Sequence, residues 1–446
     1  MQVIEPKLPG GFKDYLPEDM IPRQKMLDTI RDVFERFGFS PLDTSGIEKT
    51  DVLTGGDQNF KKQIYGVISQ GGDENELSLR FDLTVPLARV MAANASVLKK
   101  PFKRYEMGKV WRGERQQAGR YREFTQCDAD IVGSEKRSSD AEIIALMAET
   151  MKQLGFSKFV IRINNRKILN GLSEYAGFEA WKTEPVLRAL DKLDKQKWGD
   201  VAAELADKKG AYLSTEQIEA VRKFVELKGS TTNSLFEKAE KLLGENTSAL
   251  EGIKELKDIV QYLKLLDVPE DVWVIDFSVA RGLGYYTGTI FETILTDLPQ
   301  IGSVFSGGRY DNLIERFGSA SIPAVGTSVG VDRLFAAMEQ LNLVQKTRTI
   351  AQVLFLNFDE VGEKDVIKNC VLLREAGINA EYYLGNEENL KGQLAYAVAM
   401  EIPIVIIIGA TESGKGVVLV KDMNARTQEE VKQKDLVRKV EEMLKQ

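Results

Sequence analysis

The chain has 446 residues, is 43% hydrophobic and 28% charged, and carries a net charge of −7, an ordinary globular composition with room for two or three domains. With no histidine, and with Cys127 and Cys370 far apart, soft-metal sites and histidine-based acid–base schemes are excluded, whereas magnesium needs only carboxylates and substrate phosphates. The opening MQVIEPKLPGGF lacks the pattern of a signal peptide and no run approaches the roughly 20 apolar residues of a membrane span, so a cytoplasmic, metal-light protein is expected.

Residues 21–37 read as an amphipathic helix, with Met26, Ile30, Val33, Phe34 and Phe37 at helical spacing, Pro22 early and Gly38 as the C-terminal cap. From 46 to 133 the pattern changes to short strands between turn residues. LRFDLTV at 79–85 alternates, with Leu79, Phe81, Leu83 and Val85 on one face and Arg80, Asp82 and Thr84 on the other. Lys99, Lys100, Lys103 and Arg104 then lead towards Arg112, Arg115, Arg120 and Arg122. Such a run is ordinarily a solvated surface, but this one coincides with a patterned segment.

In FKRYEMGKVWR at 102–112, period two groups Arg104, Glu106, Gly108, Val110 and Arg112. After a polar turn at 114–119, the returning strand groups Arg122, Phe124, Gln126, Asp128 and Asp130, backed by Thr125, Cys127, Ala129 and Ile131. Two carboxylates two residues apart on one strand face repel unless cations, ligand atoms or solvent compensate them. Solvent would serve for Asp128 and Asp130 alone. The whole set suits an anionic, ring-containing ligand, with Phe124 stacking a base, Arg112 forked onto a phosphate, and Gln126 and Asp130 reading polar edges.

Residues 172–263 are rich in Lys, Glu, Ala and Leu and read as a helical insertion. Strand patterning returns with VWVIDF at 272–277 and with ARGLGYYTGTIFE at 280–292, whose Gly282, Gly284 and Gly288 suggest close backbone approach. SGGRYDNL (306–313) follows, and VGTSVGVDRLFAAM (325–338) runs from strand into helix. Arg333 there opposes the helix dipole, a broken local rule that suggests a compensating role such as gripping a phosphate. Beyond 345, strands at 351–358, 378–384, 402–408 and 417–422 alternate with helices at 360–375, 387–400 and 428–445, describing a small α/β domain. GATESGKG at 409–416 nearly spells a phosphate-binding loop, but Gly416 stands where the hydroxyl belongs and a strand follows. It reads as a hairpin turn.

Together these segments resemble the histidyl-tRNA synthetases, class IIa aminoacyl-tRNA synthetases, over essentially the whole chain. PGGFKDYLP (9–17) resembles the N-terminal signature, and the following helix resembles motif 1, which implies a homodimer. LRFDLT resembles the amino-acid-binding strand. KVWRGERQQAGRYREFTQCDAD resembles motif 2 and GTSVGVDR motif 3, while ARGLGYYTG resembles the segment that specifies histidine.

The resemblance implies an α+β catalytic domain (1–171 and 264–345) on a mixed, mainly antiparallel sheet with flanking helices. It also implies a helical insertion (172–263) and a C-terminal α/β anticodon-binding domain (348–446). It implies a cytoplasmic ligase, with no membrane association, that activates L-histidine with ATP, with Mg2+, and loads tRNA(His). Carried over by residue, Asp82, Leu83 and Thr84 hold the amino acid near Gln126, and Asp130, Tyr285 and Tyr286 surround the imidazole. Arg112 and Arg281 are the catalytic arginines, flanking the carboxylate and α-phosphate. Glu114, Arg120, Phe124 and Arg333, with Arg112, bind ATP. Gly284 stands where the family has Asp, which implies that the loop bearing the two tyrosines is held differently.

The chemistry fits independently. Activation brings two anions together, so fixed, forked cations and positioning are what the protein contributes. Each ring nitrogen needs a hydrogen-bond partner, which an acid and a phenol supply. The competing reading is a non-catalytic relative, the histidine-sensing regulatory subunit of ATP phosphoribosyltransferase. It would lack the C-terminal domain and need not keep the four arginines.

Overall fold

The two polar-faced segments on either side of residues 114–120 form neighbouring strands of an eight-stranded sheet. The computed structural model describes residues 4–55, 63–68, 76–113, 121–281, 284–318, 321–357 and 360–445. In chain order its first strands are β1 (Ser40–Pro41), β2 (Ile47–Lys49), β3 (Gly66–Val67), β4 (Leu77–Leu79), β5 (Phe102–Trp111), β6 (Glu123–Val132) and β7 (Phe159–Asn165). After a helical stretch come β8 (Trp273–Ile275), β9 (Thr289–Leu295), β10 (Phe305–Tyr310) and β11 (Ala324–Gly330).

The large sheet runs β1-β5-β6-β11-β10-β9-β7-β8, and β2-β4-β3 form a small one. Its two outer pairs, β1 with β5 and β7 with β8, are parallel, and every pair between them is antiparallel. The expected mixed, mainly antiparallel sheet is therefore what forms. The register sets Arg104 opposite Asp130, Glu106 opposite Asp128 and Gly108 opposite Gln126, so the polar faces of β5 and β6 coincide. On the other face Cys127, Ala129 and Ile131 are buried. The helix Arg137–Gln153 packs against β6, β7, β10 and β11.

Three local expectations need correction in this part. The first helix runs Pro17–Arg36, so Pro22 lies inside it, while Met26, Ile30, Val33 and Phe34 are buried and Gly38 takes the positive φ of a cap. Phe37 lies beyond its end. The alternation at 79–85 is not a strand. β4 ends at Leu79, and a helix Thr84–Ala93 begins, its Val85 N–H donating to the Asp82 carboxylate at 3.0 Å. Pro86 sits in the first turn, where its missing N–H costs nothing, and Leu87, Ala88 and Met91 are buried at helical spacing. Two periods overlap at that point, and the helical one wins because its apolar set continues further. The strand expected from 280 starts only at Thr289.

Residues 172–265 are helical, in six helices from Leu172–Ala176 to Thr247–Leu265. The last packs closely on the helix Arg166–Asn170, since a Cβ on Gly252 would lie 2.8 Å from Ile168. Met1–Lys13 and Met26–Leu343 thus form one compact unit.

The second unit comprises Asp14–Lys25 and Val344–Gln446. Its sheet, β13-β12-β14-β15-β16, uses β12 (Val353–Leu356), β13 (Ala380–Tyr382), β14 (Ile404–Ile407), β15 (Val417–Asp422) and β16 (Thr427–Lys432). Val353, Phe355, Ile404 and Ile406 pack on one face with Val366, Cys370 and Leu373, and Leu354, Leu356 and Val405 on the other with Ala397. Burying each such aliphatic side chain contributes about 1.5–3 kcal/mol. Two expectations fail in this unit. Residues 427–432 are the edge strand rather than the start of the last helix, which spans Leu436–Leu444. TQEEVK reads as helical by composition, but pairing with β15 overrides propensity. The hairpin turn expected at 409–416 is a short helix, Ala410–Lys415, opened by a Gly409 N–H to Glu412 bond of 3.0 Å and closed by Gly416 at φ 66°.

Candidate active site

The polar face of β6 floors a cavity of about 700 Å³. Gln126, Asp128 and Asp130 line it at two-residue spacing, yet are 8%, 2% and 3% exposed. So much buried acid requires a counter-charge. Arg104, fully buried, supplies it, with Nη2 2.8 Å from Asp130 Oδ2 and Nη1 3.5 Å from Glu106 Oε2. Tyr310 donates its O–H to Asp130 Oδ1 at 2.5 Å. Glu106 is held in turn by Arg80 and the Thr44 hydroxyl, each at 2.8 Å. Gly108 leaves room for that pair, because a Cβ there would sit 2.2 Å from the Arg80 guanidinium.

One arginine does not neutralise the group. Burial dominates and holds Asp82, Asp128 and Asp130 above the usual carboxylate range, although Arg104 opposes it. Asp128 is pushed up to about 8 by burial, against the pull of Arg104 and with the adjacent Asp130 adding to the rise. Burial also raises the Tyr286 and Tyr310 phenols, and nearby carboxylates add to it. The cavity is thus acid-rich and suits a ligand that brings N–H donors or positive charge.

Around this floor the structure gathers most of the residues singled out from the sequence. Asp82 and Thr84 line the cavity from the start of their helix. Leu83 does not line it; its side chain is buried and its carbonyl accepts from Arg104 at 3.1 Å. Arg112 lies with its guanidinium 4.3 Å from the Phe81 ring centre and 5.0 Å from that of Phe124, and donates to the Phe81 carbonyl at 3.2 Å. Stacking on both rings orients its fork. Gln126 donates to Ser328 at 2.7 Å. Tyr285 and Tyr286 meet edge-to-face, 4.7 Å between centres.

Arg333 occupies the first turn of the helix Val331–Gln340 and lines the cavity, with its guanidinium bonded to the Ser303 carbonyl. Arg281 is paired with Glu292 of β9, with Asp194 at 3.4 Å and with Asp191 at 3.9 Å. Asp191 and Asp194 follow the helix Thr183–Leu190, so the helical segment reaches the cavity wall. Asp194 also pairs with Arg162 of β7 at 2.6 Å. Glu114 and Arg120 lie outside the described residues.

A family model described as "Histidyl-tRNA synthetase" matches residues 11–334, and one described as "Anticodon binding domain" matches 352–443. The chain belongs to the histidyl-tRNA synthetase family. It is 43% identical over 423 residues to a histidine–tRNA ligase of Wolinella succinogenes, covering 94% of each chain. It is 42% identical over 441 residues to one from Clostridium tetani, covering 98% of each. The crystal structure of a histidyl-tRNA synthetase from Nostoc sp. PCC 7120 superposes with a TM-score of 0.88 at 32% identity, covering 99% of this chain and 100% of that one. The chain is therefore an ATP-using ligase of the aminoacyl-tRNA synthetase class.

Sequence reasoning assigned no role to Arg104, Tyr310 or Ser328. Arg104 stands both in the basic run and on the polar face of β5, and neither pattern says that it is fully buried. Tyr310 stands in SGGRYDNL, where nothing in the chain signals that it meets Asp130. Asp128 falls on the polar face with Gln126 and Asp130, where solvent would serve for the two carboxylates alone; in the fold it is buried.

Proposed function

We propose that this chain is a histidine–tRNA ligase that converts L-histidine and ATP to histidyl-adenylate and pyrophosphate, then transfers histidine to the 3′ end of tRNA(His). The observation that carries it is the union, in one cavity, of an acid-rich floor that suits N–H donors and the arginines Arg112, Arg281 and Arg333 along its walls. The floor suits the amino acid and the arginines suit the polyphosphate.

In this reading Asp82 and Thr84 hold the α-amino group beside Gln126, with Leu83 acting through its backbone. Asp130, Tyr285 and Tyr286 enclose the imidazole. Arg112 and Arg281 flank the substrate carboxylate and the α-phosphate, so that attack on phosphorus is in line and the developing charge meets fixed donors. Phe124 carries adenine, and Arg333, with Glu114 and Arg120, grips the ATP. Mg2+, held by the ATP phosphates, would neutralise part of their charge. Residues 1–171 with 264–345 form the catalytic domain, 172–263 an insertion over the acceptor arm, and 348–446 the anticodon-binding domain. The enzyme acts as a homodimer in the cytoplasm, where its substrates are found.

The test is ATP–pyrophosphate exchange by the purified chain with each of the twenty amino acids. Exchange with histidine alone is expected. Equal exchange with another amino acid would remove the specificity, and histidine binding without exchange would favour the sensor.

A further inference from the structure

Arg281 stands in the cavity wall and is tied along one edge of its guanidinium. Its Nε pairs with Glu292 Oε2, and its Nη2 lies 3.4 Å from Asp194 Oδ2. Among the described residues its Nη1 meets no acid. Glu292 and Asp194 are joined in turn by Arg162, whose Nη1 is 3.0 Å from Glu292 Oε1 and 2.6 Å from Asp194 Oδ1. Arg281, Glu292, Arg162 and Asp194 thus close a ring of alternating charge. The catalytic sheet fixes one side of it. The register of β7 and β9 sets Arg162 opposite Glu292, which is 1% exposed, and Arg162 is also anchored by Asp276 at 2.8 Å and Ser278 at 2.7 Å. Asp194 is different. It follows the helix Thr183–Leu190 of the helical segment, and its side chain is 25% exposed. Such a pair adds little to stability. Its consequence is orientation, because a second contact on the same edge fixes the guanidinium plane that the bond to Glu292 alone would leave free to swing.

We propose that Asp194 is a positioning residue for the activation step: by closing this ring it holds the Nε–Nη2 edge of Arg281 and leaves Nη1 for the reacting carboxylate and α-phosphate. The inference rests on the role given to Arg281 in the proposed function. Misplacing a group at a reacting centre by about 1 Å can cost about 10²-fold in rate. The helical segment thereby takes part in amino-acid activation itself, before any tRNA is bound.

The test is the steady-state kinetics of histidine-dependent ATP–pyrophosphate exchange by the full chain without tRNA. Asp194→Asn and Asp194→Ala are each expected to lower kcat about tenfold, with the KM for histidine and for ATP moving less than about twofold. Either variant suffices if the other does not fold. In the Arg281→Ala background the same changes should add less than about twofold, because the group that Asp194 positions is gone. Asp191→Asn, in the same segment and 3.9 Å from Arg281 but 45% exposed, should stay within about twofold of the unsubstituted chain. Full additivity with Arg281→Ala, or an equal fall with Asp191→Asn, would mean a general disturbance of the segment and overturn the proposal. Unchanged kcat in the Asp194 variants beside a crippled Arg281→Ala would overturn it too, while leaving the catalytic role of Arg281 intact. Undiminished exchange by Arg281→Ala would overturn that role and the proposal with it.

Discussion

The two large sheets of this molecule solve the problem of a buried strand in opposite ways. In the C-terminal unit β12 reads Val-Leu-Phe-Leu, and all four side chains are fully buried against apolar neighbours. In the catalytic sheet β5 and β6 bury Arg104, Glu106, Asp128 and Asp130, each no more than 3% exposed. The first arrangement gains stability from every residue. The second spends it, because desolvating charges costs more than their pairing returns unless the geometry is very good. Buried charge collected on one face, under a cavity, therefore marks where the chain does chemistry.

That contrast can be broken most directly at Arg104. Arg104→Met leaves Asp130, Asp128 and Glu106 without their shared cation, and should destabilise the chain by about 3–5 kcal/mol in urea unfolding. A loss below about 1 kcal/mol would mean the acids need no counter-charge. Next in size, Arg112→Ala removes a cavity cation outside the buried set. We expect histidine-dependent exchange to fall about 10²–10³-fold, with the unfolding midpoint almost unmoved; a large loss of stability would make Arg112 a structural residue.

The acid floor also predicts a slope with pH. The folded chain holds a proton on Asp128 up to about pH 8, whereas the unfolded chain loses it near 3.8. The folded state thus binds more protons between these values, so this contribution is complete at low pH and is lost as pH rises through about 8. Asp128→Asn should flatten that decline in unfolding free energy, and an unchanged slope would assign it elsewhere. Least affected, Ile406→Val in the C-terminal sheet removes one methylene from an apolar cluster and should cost about 0.5–1.5 kcal/mol, independent of pH. A pH-dependent cost there would erase the distinction between the sheets.

Much of this was legible in the chain. The period-two polar faces of 102–112 and 121–130 placed β5 and β6, and the same alternation identified most of the cavity floor. It failed at 79–85, where seven alternating residues straddle a strand end and a helix start, and only the cap at Asp82 and the continuing Leu87–Met91 spacing separate them. It failed at β16 because a Glu-rich edge strand carries no apolar period. Partnership was the least legible feature. Nothing local reveals that Tyr310 closes on Asp130, 180 residues earlier, or that Arg281 is held by Asp194 from the helical segment. Those contacts are made by the topology, which juxtaposes strands distant in sequence.

The position of Gly284 offers a practical opening. A Cβ built there meets nothing within 4 Å, and the residue is an exposed part of the cavity wall. Both native thiols, Cys127 and Cys370, are buried. A Gly284→Cys chain would therefore carry its one accessible sulfhydryl beside Tyr285. A fluorophore attached at that position would report occupancy of the cavity optically, in real time, without any turnover.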